Sequence, residues 1–106
     1  MINNKVYGLL GLTTKAGKIC FGTDSCLEMI EKHKVKLIIV AEDSSERTIN
    51  NFKDKCKQNN VDFYIFGNKE DLSKAIGKVN KTVIGIKDKN LAGAIIKILS
   101  GGDVIG

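Results

Sequence analysis

The side chains best placed to do chemistry lie in one stretch, Lys15-Ala16-Gly17-Lys18-Ile19-Cys20-Phe21-Gly22-Thr23-Asp24-Ser25-Cys26. Two lysines flank a glycine turn, and a second glycine precedes a polar run with the composition of a helix start. The first turn of a helix exposes backbone N–H groups and partial positive charge, so it attracts anions. Gly22 leaves room for a ligand backbone to come close. Lys15, Lys18, Gly22, Thr23, Asp24 and Ser25 therefore form a candidate edge for phosphate or RNA, set against a plain capped helix. On that reading a Gly22→Asp change weakens RNA binding and leaves the domain folded.

Catalysis needs a nucleophile–base pair, a metal set or a cofactor loop. Glu42 and Asp43 are adjacent carboxylates just after an apolar run, where α/β sites often lie. Asp43 and Glu46 have capping-box spacing, with aspartate in place of serine or threonine, which assigns them to a helix start. Cys20, Cys26 and Cys56 are odd in number and lack metal-type spacing, and His33 is the only histidine, so no zinc set assembles. Only the helix start would lower the pKa of Cys20 or Cys26. No dinucleotide fingerprint or P-loop pattern is present. The sequence predicts a non-catalytic protein with no cofactor and no metal.

Bulk properties point the same way. The 106 residues suit one domain, 1–106, and 42% hydrophobic with 27% charged residues is ordinary for a globular chain. The net charge of +5 favours an anionic partner, nucleic acid first. Arg47 is the only arginine, and lysine meets phosphate as a point charge better than it reads base edges. The cysteines read as reduced thiols of a cytoplasmic protein. The apolar run near the N-terminus is too short and glycine-broken for a signal peptide, and no run reaches membrane-spanning length.

These residues must be positioned by elements that the hydrophobic spacing defines. Val6, Leu9, Leu10 and Thr13 predict a helix over residues 3–16, ended by Gly17. Residues 19–21 form a minimal strand. Thr23 or Asp24 caps a helix to about His33, with Cys26, Leu27 and Ile30 inward; His33 reads as a charge at its end. Residues 37–41 are a buried central strand. A helix over residues 45–58 follows, with Ile49, Phe52 and Cys56 buried. Asn59 and Asn60 make a turn, and residues 61–66 a strand. Asn68 caps a short helix that Gly77 stops, and Leu72, Ala75 and Ile76 face inward. Residues 78–81 are a loop and 82–87 a strand. Asp88 precedes a last helix with Leu91, Ala92, Ile95 and Leu99 on its core face, and Gly101 and Gly102 begin a frayed tail.

The alternation predicts a three-layer α/β/α sandwich around four strands, mostly parallel, with the short first strand at an edge and free to run antiparallel. If the last strand neighbours the first, the loop Lys78-Val79-Asn80-Lys81 forms the other side of the binding edge, and Lys74 adds to it. No apolar stripe is left over after the core is assigned, which predicts a monomer.

The runs Leu9-Leu10-Gly11-Leu12, Lys15-Ala16-Gly17-Lys18, Gly22-Thr23, the apolar strand ending in Ala41-Glu42-Asp43, and the helix from Leu72 to Gly77 resemble the ribosomal L-seven-Ae / L-thirty-e superfamily, closest to its bacterial YlxQ-like branch. The resemblance covers nearly the whole chain. It implies an α/β/α sandwich with a four-stranded mixed sheet and binding to kink-turn RNA, in a ribosomal or ribosome-associated setting. It implies that the start of the second helix enters the kinked groove through a Gly-Thr-Asn-Glu-x-x-Lys motif, with the loop before the last strand on the extruded nucleotides. Gly22 and Thr23 match that motif. Asp24 replaces its asparagine and loses the amide donor. Ser25 replaces its glutamate and is too short to place two acceptors on a guanine edge. Glu28 replaces its lysine and reverses the charge. The implied function is structured-RNA binding with altered specificity. The alternative is a protein-interaction module on the same fold that has lost specific RNA readout.

Overall fold

The computed structural model describes residues 2–101. Its elements, in chain order, are α1 (Ile2–Lys15), β1 (Ile19–Phe21), α2 (Thr23–Glu31), β2 (Leu37–Val40), α3 (Glu46–Asn59), β3 (Asp62–Ile65), α4 (Lys69–Ala75), β4 (Val83–Ile86) and α5 (Lys89–Leu99). Every element expected from the sequence is present, in that order.

The sheet order is β1-β4-β2-β3. β2 runs parallel to β3 but antiparallel to β4, and β1 runs antiparallel to β4. The sheet is therefore mixed, and the mostly parallel arrangement expected from alternation is corrected. The reason is topological: Val40 pairs with Ile65, where β3 ends, and with Val83, where β4 begins, so the chain re-enters the sheet at the end it left and β4 runs back. β1 is at an edge, as expected.

Two cores fill the spaces above and below the sheet. One joins Val6 and Leu10 of α1, Leu72 of α4 and Ala92, Ile95 and Ile98 of α5 to Leu37, Ile39, Ile84 and Ile86 of the strands. The other joins Cys26 and Ile30 of α2 and Phe52 and Cys56 of α3 to Cys20, Ile38, Val40 and Val83. Alternate residues of β2 thus point to opposite layers, and all four are buried, which explains its uninterrupted apolar run. Leu91 and Leu99 lie half-buried at the margin, while Ile98 takes the core position.

Helix ends follow local chemistry. At the end of α1, Gly17 takes φ +70°, and Lys18 N–H donates to the Thr13 carbonyl at 3.0 Å. That is a glycine C′ closure. The expected cap at Asp43 is corrected. Ser45 caps α3, its hydroxyl accepting from Thr48 N–H at 3.1 Å. Asp43 instead accepts from Lys69 N–H at 2.9 Å and ties the end of β2 to the start of α4. Asn68 caps α4 as expected, and Asp88, just before α5, caps it as well. His33 lies just past α2 at φ +57°, in the left-handed position that usually ends a helix. Gly101 also has positive φ, and Gly102 lies outside the described residues.

All three cysteines are free and buried. Cys20 and Cys26 approach to 3.7 Å between sulfurs. The hydrogen bond shared with Cys26 holds the Cys20 thiol below its ordinary range, with the Lys87 ammonium assisting, and the same pairing together with burial pushes Cys26 up. Burial pushes Cys56 up to about 12, aided by Asp62. A thiol that ionises at higher pH when folded makes the unfolded state bind fewer protons between those two values. Its contribution is whole below about pH 9 and is lost as pH rises toward 12. Urea titrations should show stability falling by up to about 1.4 kcal/mol per pH unit in that window from Cys56. A Cys56→Ala variant, less stable at neutral pH, should show a shallower fall; an identical fall would mean that Cys56 is not the titrating group.

Candidate nucleic-acid interface

The two ends of β1 have different surroundings. At its far end, Gly22 N–H donates to the Val83 carbonyl at 2.9 Å, which fixes the start of α2 against the start of β4. Gly22 takes φ +89° and ψ 156°, a region open essentially to glycine alone. A Cβ there would meet nothing within 4 Å, so the space over the turn is open. A Gly22→Asp change, expected from the sequence to affect binding alone, therefore also strains the turn by about 1–3 kcal/mol.

Gly22 itself is the N-cap of α2, with no side-chain capping bond. The expected cap at Thr23 or Asp24 is corrected, because both are already helical. The first intrahelical bond is donated by Cys26 to the Gly22 carbonyl at 3.1 Å. The N–H groups of Thr23, Asp24 and Ser25 thus precede the helical ladder, on an exposed polar turn. Glu28, one turn on, is drawn to Lys32 at 2.7 Å, and that hydrogen bond holds its carboxyl below the usual range.

Because β4 pairs with β1, the loop before β4 lies beside this helix start, as the sequence argument required. Lys78 Nζ stands 5.1 Å and Lys81 Nζ 5.3 Å from the centroid of the Phe21 ring. Both distances are within cation–π range. Phe21 was not singled out in the sequence; its place one residue before the glycine was the available signal. Ser73, also missed, clamps the loop: its hydroxyl accepts from Lys81 N–H at 2.8 Å and donates to the Lys81 carbonyl at 3.1 Å. Asn80 takes φ +57° at the turn, and Val79 is 75% exposed at the tip. Between this loop and α4 runs a groove of about 350 Å³ lined by Lys69, Glu70, Lys74, Lys78, Val79 and Asn80. Lys74 therefore adjoins the loop, as expected.

Lys18 does not join this group, and Lys15 lies exposed at the end of α1. Lys18 lies at the opposite end of β1, where its carbonyl accepts from Lys87 N–H at 2.8 Å. The three residues of β1, a span of roughly 13 Å in four extended steps, separate it from Gly22. The sequence-predicted set is split: Gly22, Thr23, Asp24, Ser25, Lys78, Val79, Asn80, Lys81 and Lys74 at one end of the sheet, Lys18 at the other, and Lys15 at the end of α1. Adjacency in sequence had stood for adjacency in space, and the strand between them breaks it.

Fold and surface together define a class: a three-layer α/β/α domain whose second helix opens uncapped beside a lysine-bearing loop. The chain belongs to the Ribosomal protein L7Ae/L30e/S12e/Gadd45 family, whose profile matches residues 4–95. It is 30% identical over 93 residues to the RNA-binding protein YlxQ of Bacillus subtilis (strain 168), covering 88% of this chain and 93% of the relative. It is 32% identical over 97 residues to the RNA-binding protein YlxQ of Enterococcus faecium, covering 92% and 93%. A solved structure of a protein of unknown function from Bacillus halodurans superposes with a TM-score of 0.88 at 28% identity, covering 91% of this chain and 97% of that one. The Giardia lamblia 15.5kD RNA binding protein shares the fold, with a TM-score of 0.81 at 18% identity over 99% and 90%.

Proposed function

We propose that this chain is a non-catalytic, monomeric RNA-binding protein of the cytoplasm that holds structured, kink-turn-like RNA in a ribosomal or ribosome-associated setting. The observation that carries the reading is the convergence of Lys78 and Lys81 on Phe21, beside the uncapped first turn of α2. The lysines meet phosphates, the N–H groups of Thr23, Asp24 and Ser25 meet an anion or a base edge, and Val79 offers an apolar face to an unstacked base. The YlxQ relatives, described as RNA-binding proteins, support it.

Specificity turns on Asp24 and Ser25. An ionised aspartate only accepts hydrogen bonds, and serine offers one short hydroxyl. The reading is tested by titrating a kink-turn RNA, and the same duplex with its G·A pairs replaced by Watson–Crick pairs, at two salt concentrations. Preference for the kink-turn would show that Asp24 and Ser25 serve in place of asparagine and glutamate. Equal, steeply salt-dependent binding would show a phosphate surface without base readout. Absence of binding to either would overturn the proposal in favour of a protein-interaction module. The variant Asp24→Asn with Ser25→Glu should raise the preference for the kink-turn by about tenfold or more, since a good bidentate base contact is worth about 1–3 kcal/mol. An unchanged ratio would remove these two positions from readout.

A further inference from the structure

Lys18, which the α2 edge leaves out, stands in a row with other lysines. Ile19 of β1, Ile86 of β4 and Leu37 of β2 are cross-strand partners. One residue beyond them, Lys18, Lys87 and Lys36 occupy one row across three adjacent strands. Lys87 N–H bonds the Lys18 carbonyl, and Lys36 N–H bonds the Ile86 carbonyl, both at 2.8 Å, so the row is held by backbone. Neighbouring strands lie about 4.8 Å apart, which spreads the three positions over roughly 10 Å.

Acids stand near this rim at Asp62, Asp88 and Glu31, but its lysines are not tied to them. Among the described residues, no ion pair involves Lys18, Lys36, Lys87 or Lys89. Asp88 is occupied in capping α5, where it accepts from Leu91 N–H at 2.8 Å. Glu31 is turned toward Lys55 at 3.7 Å. Beside the row opens a groove of about 510 Å³, between the ends of α2 and α3 and the first turns of α5. Lys36, Lys89 and His33 line it, with Asn59 and Asn60 as neutral hydrogen-bonding groups and Asp62 as its single acid. Gly93 keeps its floor open, since a Cβ there would meet nothing within 4 Å.

We propose that this rim is a second RNA contact, which holds the sugar-phosphate backbone of a helical segment without reading its sequence. Lysines on three fixed strand ends suit successive phosphates, and the asparagine-edged groove suits ribose and phosphate oxygens. Arginine forks, the usual means of base readout, are absent from the rim. The strand length between rim and α2 edge places the two contacts on different parts of one RNA. The inference concerns a surface separate from the edge proposed above, and its test is independent of that reading.

The test titrates a perfectly paired RNA duplex, with no kink, against three proteins. These are the unaltered chain, a rim variant (Lys18→Gln, Lys36→Gln, Lys87→Gln) and an edge variant (Lys78→Gln, Lys81→Gln). Lys18 and Lys36 are exposed and Lys87 is half-buried, and thermal unfolding verifies that each variant is folded. The rim variant should lose at least tenfold in affinity, and its plot of log K against log salt should flatten by about two to three units. The edge variant should keep most of its duplex affinity while losing kink-turn RNA. A rim variant with unchanged affinity and salt slope, or an unaltered chain that binds no duplex, overturns the second contact. Kink-turn binding unaffected by the edge variant overturns the edge alone.

Discussion

Reversing both loop charges, Lys78→Glu with Lys81→Glu, is expected to lower affinity for kink-turn RNA by on the order of 10- to 100-fold at moderate salt. The salt dependence should weaken with it, by roughly one and a half to two units of slope, because two phosphate contacts no longer release counterions. The size of the effect follows from how the lysines are held. Both ammonium groups stand over the Phe21 ring, and the backbone of Lys81 is clamped by the Ser73 hydroxyl. Their positions are fixed before RNA arrives, so less side-chain freedom is lost on binding. A Phe21→Ala change should produce a weaker version of the same loss while leaving the charge intact. Thermal unfolding checks the fold in each case. A double reversal that binds with unchanged slope would remove the 78–81 loop from the interface.

Substitution of Gly85 is expected to have the largest effect on stability. Gly85 lies in β4 opposite Cys20 of β1 and Ile38 of β2, and faces the layer built from α2 and α3. A Cβ on it would stand 2.5 Å from Cys20 Sγ, 2.9 Å from Val35 Cγ2 and 3.2 Å from Ile38 Cδ1. Val35 is β-branched and buried, so it has no rotamer to retreat into. Cys20 is paired with Cys26 and is itself buried. Overpacking of this kind costs about 1–3 kcal/mol for a single methyl. Gly85→Ala should lower stability by that amount in urea titrations, and Gly85→Val should leave little folded protein at 37 °C. Removing the nearest obstacle, in Gly85→Ala with Cys20→Ala, should recover part of the loss. A Gly85→Ala protein as stable as the unaltered chain would show that the layer yields freely.

The legibility of the sequence was uneven, for physical reasons. Elements were readable because burial writes periodicity: β2 is apolar at every position and is covered on both faces. The start of α2 was readable because glycine marks it, although the demand for glycine came from φ +89°, which no composition reveals. The direction of β4 was not readable, since it depends on the end of the sheet at which the chain re-enters after α4. Asp43 misled because its spacing to Glu46 imitates a cap, while its true partner, Lys69, is remote in sequence. Lys18 misled because a three-residue strand carries it away from Gly22. Phe21 and Ser73 passed unnoticed, since each matters only through the loop that folding brings to it.

The pairing of β1 with β4 also sets when the edge comes into being. Among the described residues β1 has no other strand partner, so Phe21 waits for Ile84, and Gly22 N–H waits for the Val83 carbonyl. Closing so long a loop is slow relative to local helix formation. A chain emerging from its own synthesis presents the start of α2 early, without the loop lysines or the strand that anchors it. The proposed surface therefore forms only once β4 has been made and paired with β1, so affinity for RNA would report that the chain has folded through Ile86.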